Sequence, residues 1–74
     1  MILRQRIIDI PLGFSREHLE SELIKRATCR MIQNVMDKEA ARERSQGRLV
    51  LETQGLLDYQ VPAIYITIWY AEKN

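Results

Sequence analysis

The single cysteine, Cys29, is the residue best suited to nucleophilic chemistry. Lys25, Arg26 and Arg30 lie near it on a predicted helix, and nearby positive charge favours the reactive thiolate form of a cysteine. A catalytic thiol also needs a base and a group that orients that base. The only histidine, His18, lies about three helical turns earlier, so it cannot reach Cys29 within one chain. We interpret Cys29 as structural or incidental, and His18 as a residue that caps the first helical turn.

Other chemistry is equally poorly represented in the sequence. One histidine and one cysteine do not make a zinc ligand set. The three glycines do not form a glycine-rich phosphate loop, and the carboxylates show no spacing that suggests acid–base catalysis. The sequence therefore predicts a protein that is not an enzyme and that holds no metal and no cofactor.

An aromatic pair on the last predicted strand, residues 60–71, is the strongest functional signal. This stretch alternates strictly and is rich in β-branched and aromatic residues, which is typical of a strand. Tyr65, Thr67 and Trp69 share one face, and large amphipathic aromatic side chains are enriched at protein interfaces. We therefore predict a protein interface at these three residues. The opposite face is expected to line the core and carries Ile64, Ile66, Ile68 and Tyr70.

Self-association is the interaction that we favour for this face, with a dimer as the expected form. A domain of 74 residues buries only about 60% of the surface of its unfolded chain, and small domains often complete their core by oligomerising. Three alternatives remain: a different protein partner, a flat small molecule stacked on Trp69 between subunits, or simple coverage by the long side chains of Arg4 and Arg6.

A nucleic-acid-binding regulator is the alternative function. Two arginines, Arg26 and Arg30, lie one turn apart on the predicted helix and could meet phosphates, together with Arg4, Arg6 and Arg48. However, 11 lysines and arginines against 10 acidic residues give a net charge of only +1. This near balance argues against non-specific nucleic-acid binding as the main activity.

Composition places the chain among ordinary globular proteins. It is 46% hydrophobic and 28% charged, which fits one domain over residues 1–74. A lone cysteine suits a reducing compartment, so we expect a cytoplasmic protein. No apolar run approaches the length of about 18 residues that a transmembrane helix needs, so no membrane association is expected.

The order of elements predicts an α+β fold of the type β-α-β-β, with a mostly antiparallel three-stranded sheet and one long helix packed on one face. The first strand covers residues 2–10. Ser15 is a good N-cap for a helix over residues 16–46, which would be about 45 Å long in a domain about 30 Å across. The helix is therefore expected either to break near residues 34–38 or to project beyond the sheet.

The remaining strands are expected to form a hairpin. The second strand covers residues 48–53, with Leu49, Leu51 and Thr53 on one face, and a glycine-containing turn covers residues 54–56. Apolar positions then change from odd to even numbers at Pro62, which predicts a bulge or bend there.

Overall fold

Three antiparallel strands of ten residues each form one sheet in the computed structural model, which describes residues 1–73. They are β1 (Ile2–Pro11), β2 (Leu49–Asp58) and β3 (Ala63–Glu72), and the spatial order β1-β3-β2 places β3 in the centre. A single long helix lies between β1 and β2 in the chain. The predicted α+β class and the β-α-β-β order are confirmed.

The core lies between β3 and the helix. Alternation along β3 sends Ile64, Ile66 and Ile68 to the helix side, where each is fully buried, and Tyr70 follows at 8% exposure. Pairing on both sides shields the strand along its whole length. The predicted core face of this strand is therefore confirmed.

The helical segment begins where Ser15 predicts, but it breaks elsewhere than expected. A 3₁₀ turn (Arg16–Glu20) comes first, and the helix α1 (Glu22–Ser45) starts after Ser21, whose hydroxyl accepts a bond from the Ile24 N–H at 3.5 Å. The expected break near residues 34–38 is wrong, since α1 is continuous there. The prediction that His18 caps the first turn is confirmed, because its Nδ1 lies 3.2 Å from the Ser15 N–H.

The length of α1 is accommodated by an elongated molecule. The chain measures 46 × 18 × 16 Å, and 24 helical residues span about 36 Å. The expectation of a domain about 30 Å across was wrong because it assumed a sphere. Beyond Ser45 the chain turns at Gly47, whose φ of 81° suits a glycine.

Strand β2 differs from its prediction in register and in length. It continues through Gly55 to Asp58, and the turn to β3 covers residues 59–62 with a cis Val61–Pro62 bond. A register shift between Val50 and Glu52 places Leu49 and Thr53 on opposite faces of the sheet. The predicted turn at residues 54–56 and the shared face of residues 49, 51 and 53 are therefore wrong.

Gly55 has a packing role that explains its presence inside a strand. A Cβ at this position would overlap Cγ2 of Ile32 and lie 3.0 Å from Sδ of Met36. The absence of a side chain thus lets α1 approach β2 closely. The helix lies over β2 and β3, and within residues 1–73 no Cα of α1 comes within 8 Å of a β1 Cα.

Candidate interaction surface

The side of the sheet that faces away from α1 carries the three predicted interface residues. Tyr65, Thr67 and Trp69 alternate with the buried isoleucines of β3, so they point away from the helix. Each is only partly exposed. Trp69 is flanked across the strands by Gln5 of β1 and Glu52 of β2. The structure therefore brings the three residues together in the middle of one surface.

The outer strands extend this surface with large apolar side chains. Leu3 and Ile7 of β1 are 72% and 62% exposed, and Leu49 and Leu56 of β2 are 57% and 58% exposed. Leu3 and Leu49 flank Ala71 of β3 from its two sides. Ile7 pairs with Thr67, and Leu56 pairs with Tyr65. We call this surface the open face and define it by Leu3, Ile7, Leu49, Leu56, Tyr65, Thr67 and Trp69.

The sequence predicted only the central part of the open face. Leu3 and Ile7 have the same parity along β1, which is a detectable signal, but their side of the sheet depends on the pairing of β1 with β3. Leu49 and Leu56 have opposite parities and reach the same face only because of the register shift after Val50. No pattern in β2 itself shows this.

Two charged side chains of the outer strands lie on the same side of the sheet as the open face. Asp9 pairs with Tyr65 from the β1 side, and Glu52 pairs with Trp69 from the β2 side. The central strand contributes only aromatic, hydroxyl and alanine side chains between Ala63 and Ala71. The outer strands therefore carry both charged and large apolar side chains around an aromatic centre, and aromatic side chains are enriched at protein interfaces.

Three of the five predicted phosphate-binding arginines lie on the other side of the sheet in ion pairs. Arg6 contacts Glu39 at 2.8 Å and Glu43 at 2.8 Å, so it joins β1 to α1. Arg48 contacts Glu43 at 2.7 Å, and its guanidinium lies 5.1 Å from the centroid of the Tyr70 ring. These contacts fix the carboxyl-terminal end of α1 to the sheet.

The same set of ion pairs continues to the last strand. Glu72 accepts a bond from Arg4 and lies 3.3 Å from Nε of Arg48. The hydrogen bond from Arg4 lowers the pKa of the Glu72 carboxyl. We call the whole set the arginine–glutamate network, which consists of Arg4, Arg6, Glu39, Glu43, Arg48 and Glu72.

Arg26 and Arg30 do not join this network. They are exposed on α1, 17 and 13 residues before Glu43, which corresponds to about 26 Å and 20 Å along the helix. The structure therefore separates the predicted phosphate-binding set into two groups. The charges of Arg4, Arg6 and Arg48 are already matched by carboxylates.

Glu43 is the buried carboxylate at the centre of the network, with a side chain only 3% exposed. Burial alone would raise the pKa of this carboxyl. Hydrogen bonds from Arg48 and Arg6 together outweigh burial and hold the pKa below its ordinary value of 4.5. Glu43 is thus a negative charge that the fold stabilises.

Replacing Glu43 by glutamine should lower the free energy of unfolding at neutral pH by about 1–3 kcal/mol, because two arginines lose their shared charged acceptor. The effect should also depend on pH. Because the folded-state pKa is lowered, the stabilisation is present above pH 4.5 and is lost as pH falls through the folded-state value. Urea unfolding of wild type and Glu43→Gln between neutral pH and pH 3 would measure both effects.

The control for this comparison is Glu22→Gln, since Glu22 is 76% exposed and meets only Lys25 at 3.5 Å. At neutral pH that variant should stay within about 1 kcal/mol of the wild type, the size of a helix-dipole contribution in the first turn of α1. Glu72, whose pKa is also lowered, should leave part of the acid dependence in Glu43→Gln. Equal stability of Glu43→Gln and wild type at neutral pH would contradict the central role of Glu43.

Among residues 1–73, no hydrogen bond joins Cys29 to His18, the two residues considered for catalysis. Cys29 is exposed on α1, while the ring of His18 is hydrogen-bonded to Ser15 and lines a groove with Ala27 and Met31. Among residues 1–73, no group of three or more His, Cys, Asp or Glu side chains is placed to hold a metal ion. In the same residues, no helix combines the length and apolar character needed to cross a bilayer.

Comparison with known families, curated proteins and solved structures found no match for this chain.

Proposed function

We propose that this chain is a non-catalytic protein-interaction protein whose open face binds a second copy of itself. The observation that carries the proposal is the exposure of Leu3, Ile7, Leu49 and Leu56 around Tyr65 and Trp69 on one uncovered side of the sheet. Clusters of exposed apolar side chains mark interaction sites in soluble proteins.

The size of the open face suits such a contact. Strands of ten residues in a three-stranded sheet give a face of about 14 Å by 34 Å, or about 480 Å² in projection. Side chains make the accessible area larger than this projection. Standard interfaces bury about 800 Å² per partner, and weak ones less than about 600 Å². The open face is therefore large enough for a small interface.

A second copy is the occupant that the composition favours. The net charge of +1 produces little long-range repulsion between copies, and homodimer interfaces are more apolar than other interfaces. The monomer also has a small core: among residues 1–73, the largest side chains almost completely removed from solvent are Leu19, Ile64, Ile66 and Ile68. Packing two sheets about 10 Å apart would give each copy a second apolar layer.

A dimer is the oligomer that this surface favours. Each copy has one open face, and a face-to-face contact related by a two-fold axis uses the same patch on both copies. Such a contact is complete with two copies, because the open face of each copy is then covered by the other. It also leaves the exposed side of α1 free for other partners.

Introducing a charge on the open face should separate the copies. Leu56→Lys places an ammonium group at a position that is 58% exposed in one copy, so the fold should be retained. In a dimer the same group would lose its contact with water, which costs several kcal/mol for an ion. Light scattering coupled to size exclusion should therefore show a dimer for the wild type and a monomer for Leu56→Lys.

Leu23→Lys is the matched control, because Leu23 is 76% exposed on α1, on the other side of the sheet. It should remain dimeric. Far-ultraviolet circular dichroism of both variants should match the wild type. If Leu56→Lys has the same mass as Leu23→Lys, the open face is not the site of self-association.

A further inference from the structure

A second uncovered surface lies beside α1, on the flank that faces β1. Ile32 and Met36 approach Gly55 of β2, whereas Glu39 is bonded to Arg6 of β1. Val35 lies one helical turn before Glu39, and Met31 lies one turn before Val35, so both are on the β1 side of α1. The Arg6–Glu39 ion pair closes this flank at its carboxyl-terminal end.

One helix is too narrow to cover the sheet. Three strands span about 14 Å, and a helix with its side chains is about 10 Å wide. Because α1 lies over β2 and β3, the helix side of β1 is left open, with Ile8 and Ile10 only half-buried. Neighbouring helices pack 8–10 Å apart, so a second helix would fit over β1 alongside α1.

The α1 wall of this space carries a mostly apolar groove. Two adjoining cavities of about 370 and 350 Å³ share Ala27 and Met31 in their linings. Together they extend along α1 from Ile24 to Lys38, a length of about 21 Å or four helical turns. We call this space the β1-side groove, lined at its middle by Ala27, Met31 and Val35 and at its start by Phe14 and Ile24.

The rim of the β1-side groove is basic. Arg30 and Lys38 lie two turns apart along it, and neither forms an ion pair with any carboxylate of residues 1–73. Asn34 lies between them and is neutral. A binding partner with acidic residues at its border would complement both charges.

We propose that the β1-side groove binds one amphipathic helix of a partner protein, with its apolar stripe on Ala27, Met31 and Val35 and acidic residues beside Arg30 and Lys38. Helix-in-groove binding uses anchors at i, i+3, i+4 and i+7, which a groove of four turns can hold. The proposal concerns a different surface from the open face and does not depend on self-association.

A second copy of this chain suits the groove poorly. If two α1 helices packed antiparallel through their β1-side grooves around Asn34, Arg30 of one copy would face Lys38 of the other. Like charges at this spacing repel. An acidic helix meets the same two side chains with opposite charge.

The probe is a fluorescein-labelled helical peptide of about four turns, with leucines at i, i+3, i+4 and i+7 and glutamates on both flanks. Its twin carries lysine in place of every glutamate. Fluorescence anisotropy should show saturable binding of the glutamate peptide to the intact protein and much weaker binding of the lysine peptide. Added salt should weaken the binding.

Substitutions on α1 test the position of the peptide. The double variant Arg30→Glu with Lys38→Glu should raise the Kd by about tenfold, which corresponds to 1.4 kcal/mol. Arg26→Glu is the matched control, because Arg26 is exposed on the same helix but outside the groove lining, and its Kd should stay within about twofold of wild type. Ala27→Phe should weaken binding without any change of charge, because it fills the groove.

Methionine methyl groups provide a direct map of the contact. The chain has three methionines, of which Met31 lines the groove, Met36 lies near Gly55 and Met1 is exposed at the first residue. In spectra of protein labelled at methionine methyls, the glutamate peptide should shift the Met31 signal most.

Several outcomes would overturn the proposal. These are equal binding of the two peptides, binding of neither, equal effects of the Arg26 and Arg30/Lys38 variants, or a shift confined to Met1. If Ala27→Phe makes the protein monomeric while Leu56→Lys does not, the groove binds a second copy and the proposal is wrong.

Discussion

Replacing Ile66 by alanine should lower the free energy of unfolding by about 2–5 kcal/mol. Ile66 is fully buried at the centre of β3, between Ile8 of β1 and Gly55 of β2. Gly55 offers no side chain that could move into the space left by the shortened residue. A domain of 74 residues has a stability of about 4–11 kcal/mol, so this one change could remove most of it.

Urea unfolding followed by circular dichroism would measure this loss. Ile66→Val, a smaller truncation at the same position, should lower the free energy of unfolding by about 0.5–1.5 kcal/mol. Leu23→Ala should lower it by less than about 0.5 kcal/mol, because Leu23 is 76% exposed. All samples should be compared at one protein concentration, since dimer formation adds to apparent stability. An Ile66→Ala protein as stable as Leu23→Ala would contradict the assignment of the core.

Gly55→Ala should lower the free energy of unfolding by about 1–3 kcal/mol. The new Cβ overlaps Cγ2 of Ile32, which is attached directly to the stiff Cβ of a β-branched residue and cannot swing away. The helix or the strand must therefore shift. The stability lost through this overlap exceeds the stability of about 0.5–1 kcal/mol that is otherwise gained when alanine replaces glycine inside a strand.

Gly13→Ala provides a control of opposite sign. A Cβ at Gly13 meets no atom within 4 Å, and Gly47 is the glycine with a positive φ. Gly13→Ala should raise the free energy of unfolding by about 0.4–1 kcal/mol, because alanine reduces the conformational entropy of the unfolded chain. In an Ile32→Ala background the cost of Gly55→Ala should fall, because Cγ2 is absent. An unchanged cost in that background would show that α1 does not press on β2 at Gly55.

Local patterns predicted the central strand and the start of the helical segment well. β3 combines alternation with β-branched residues, and both signals agree because the strand is paired on both sides. Ser15 and His18 form a local cap whose partners are three residues apart. Such features depend on neighbours in the chain, so the sequence shows them directly.

Gly55 shows why other parts could not be predicted. A glycine between two β-rich stretches is typical of a turn, yet here it serves the approach of Ile32 from a helix 23 residues earlier. The break at Ser21 was similarly hidden, because the segment after it has the same helical character as the segment before it. Both features depend on tertiary packing rather than on local preference.

The interaction surfaces were predictable only in part for the same reason. Tyr65, Thr67 and Trp69 follow from alternation within one strand, but the leucines around them reach the open face through pairing and a register shift. Glu43 and its two arginines are separated by 37 and 5 residues. No spacing rule connects a strand residue to the end of a distant helix, so the network could not be predicted.

Trp69 gives the most direct test of the central claim, because it is the only tryptophan and lies in the middle of the open face. Its emission should be recorded with the light-scattering mass across a dilution series of the wild-type protein. We predict a mass of about twice the 8.7 kDa of one chain with blue-shifted emission at high concentration. On dilution the mass should fall to 8.7 kDa and the emission should shift to the red in step. A mass of 8.7 kDa and an unchanged spectrum at every concentration would contradict self-association through the open face.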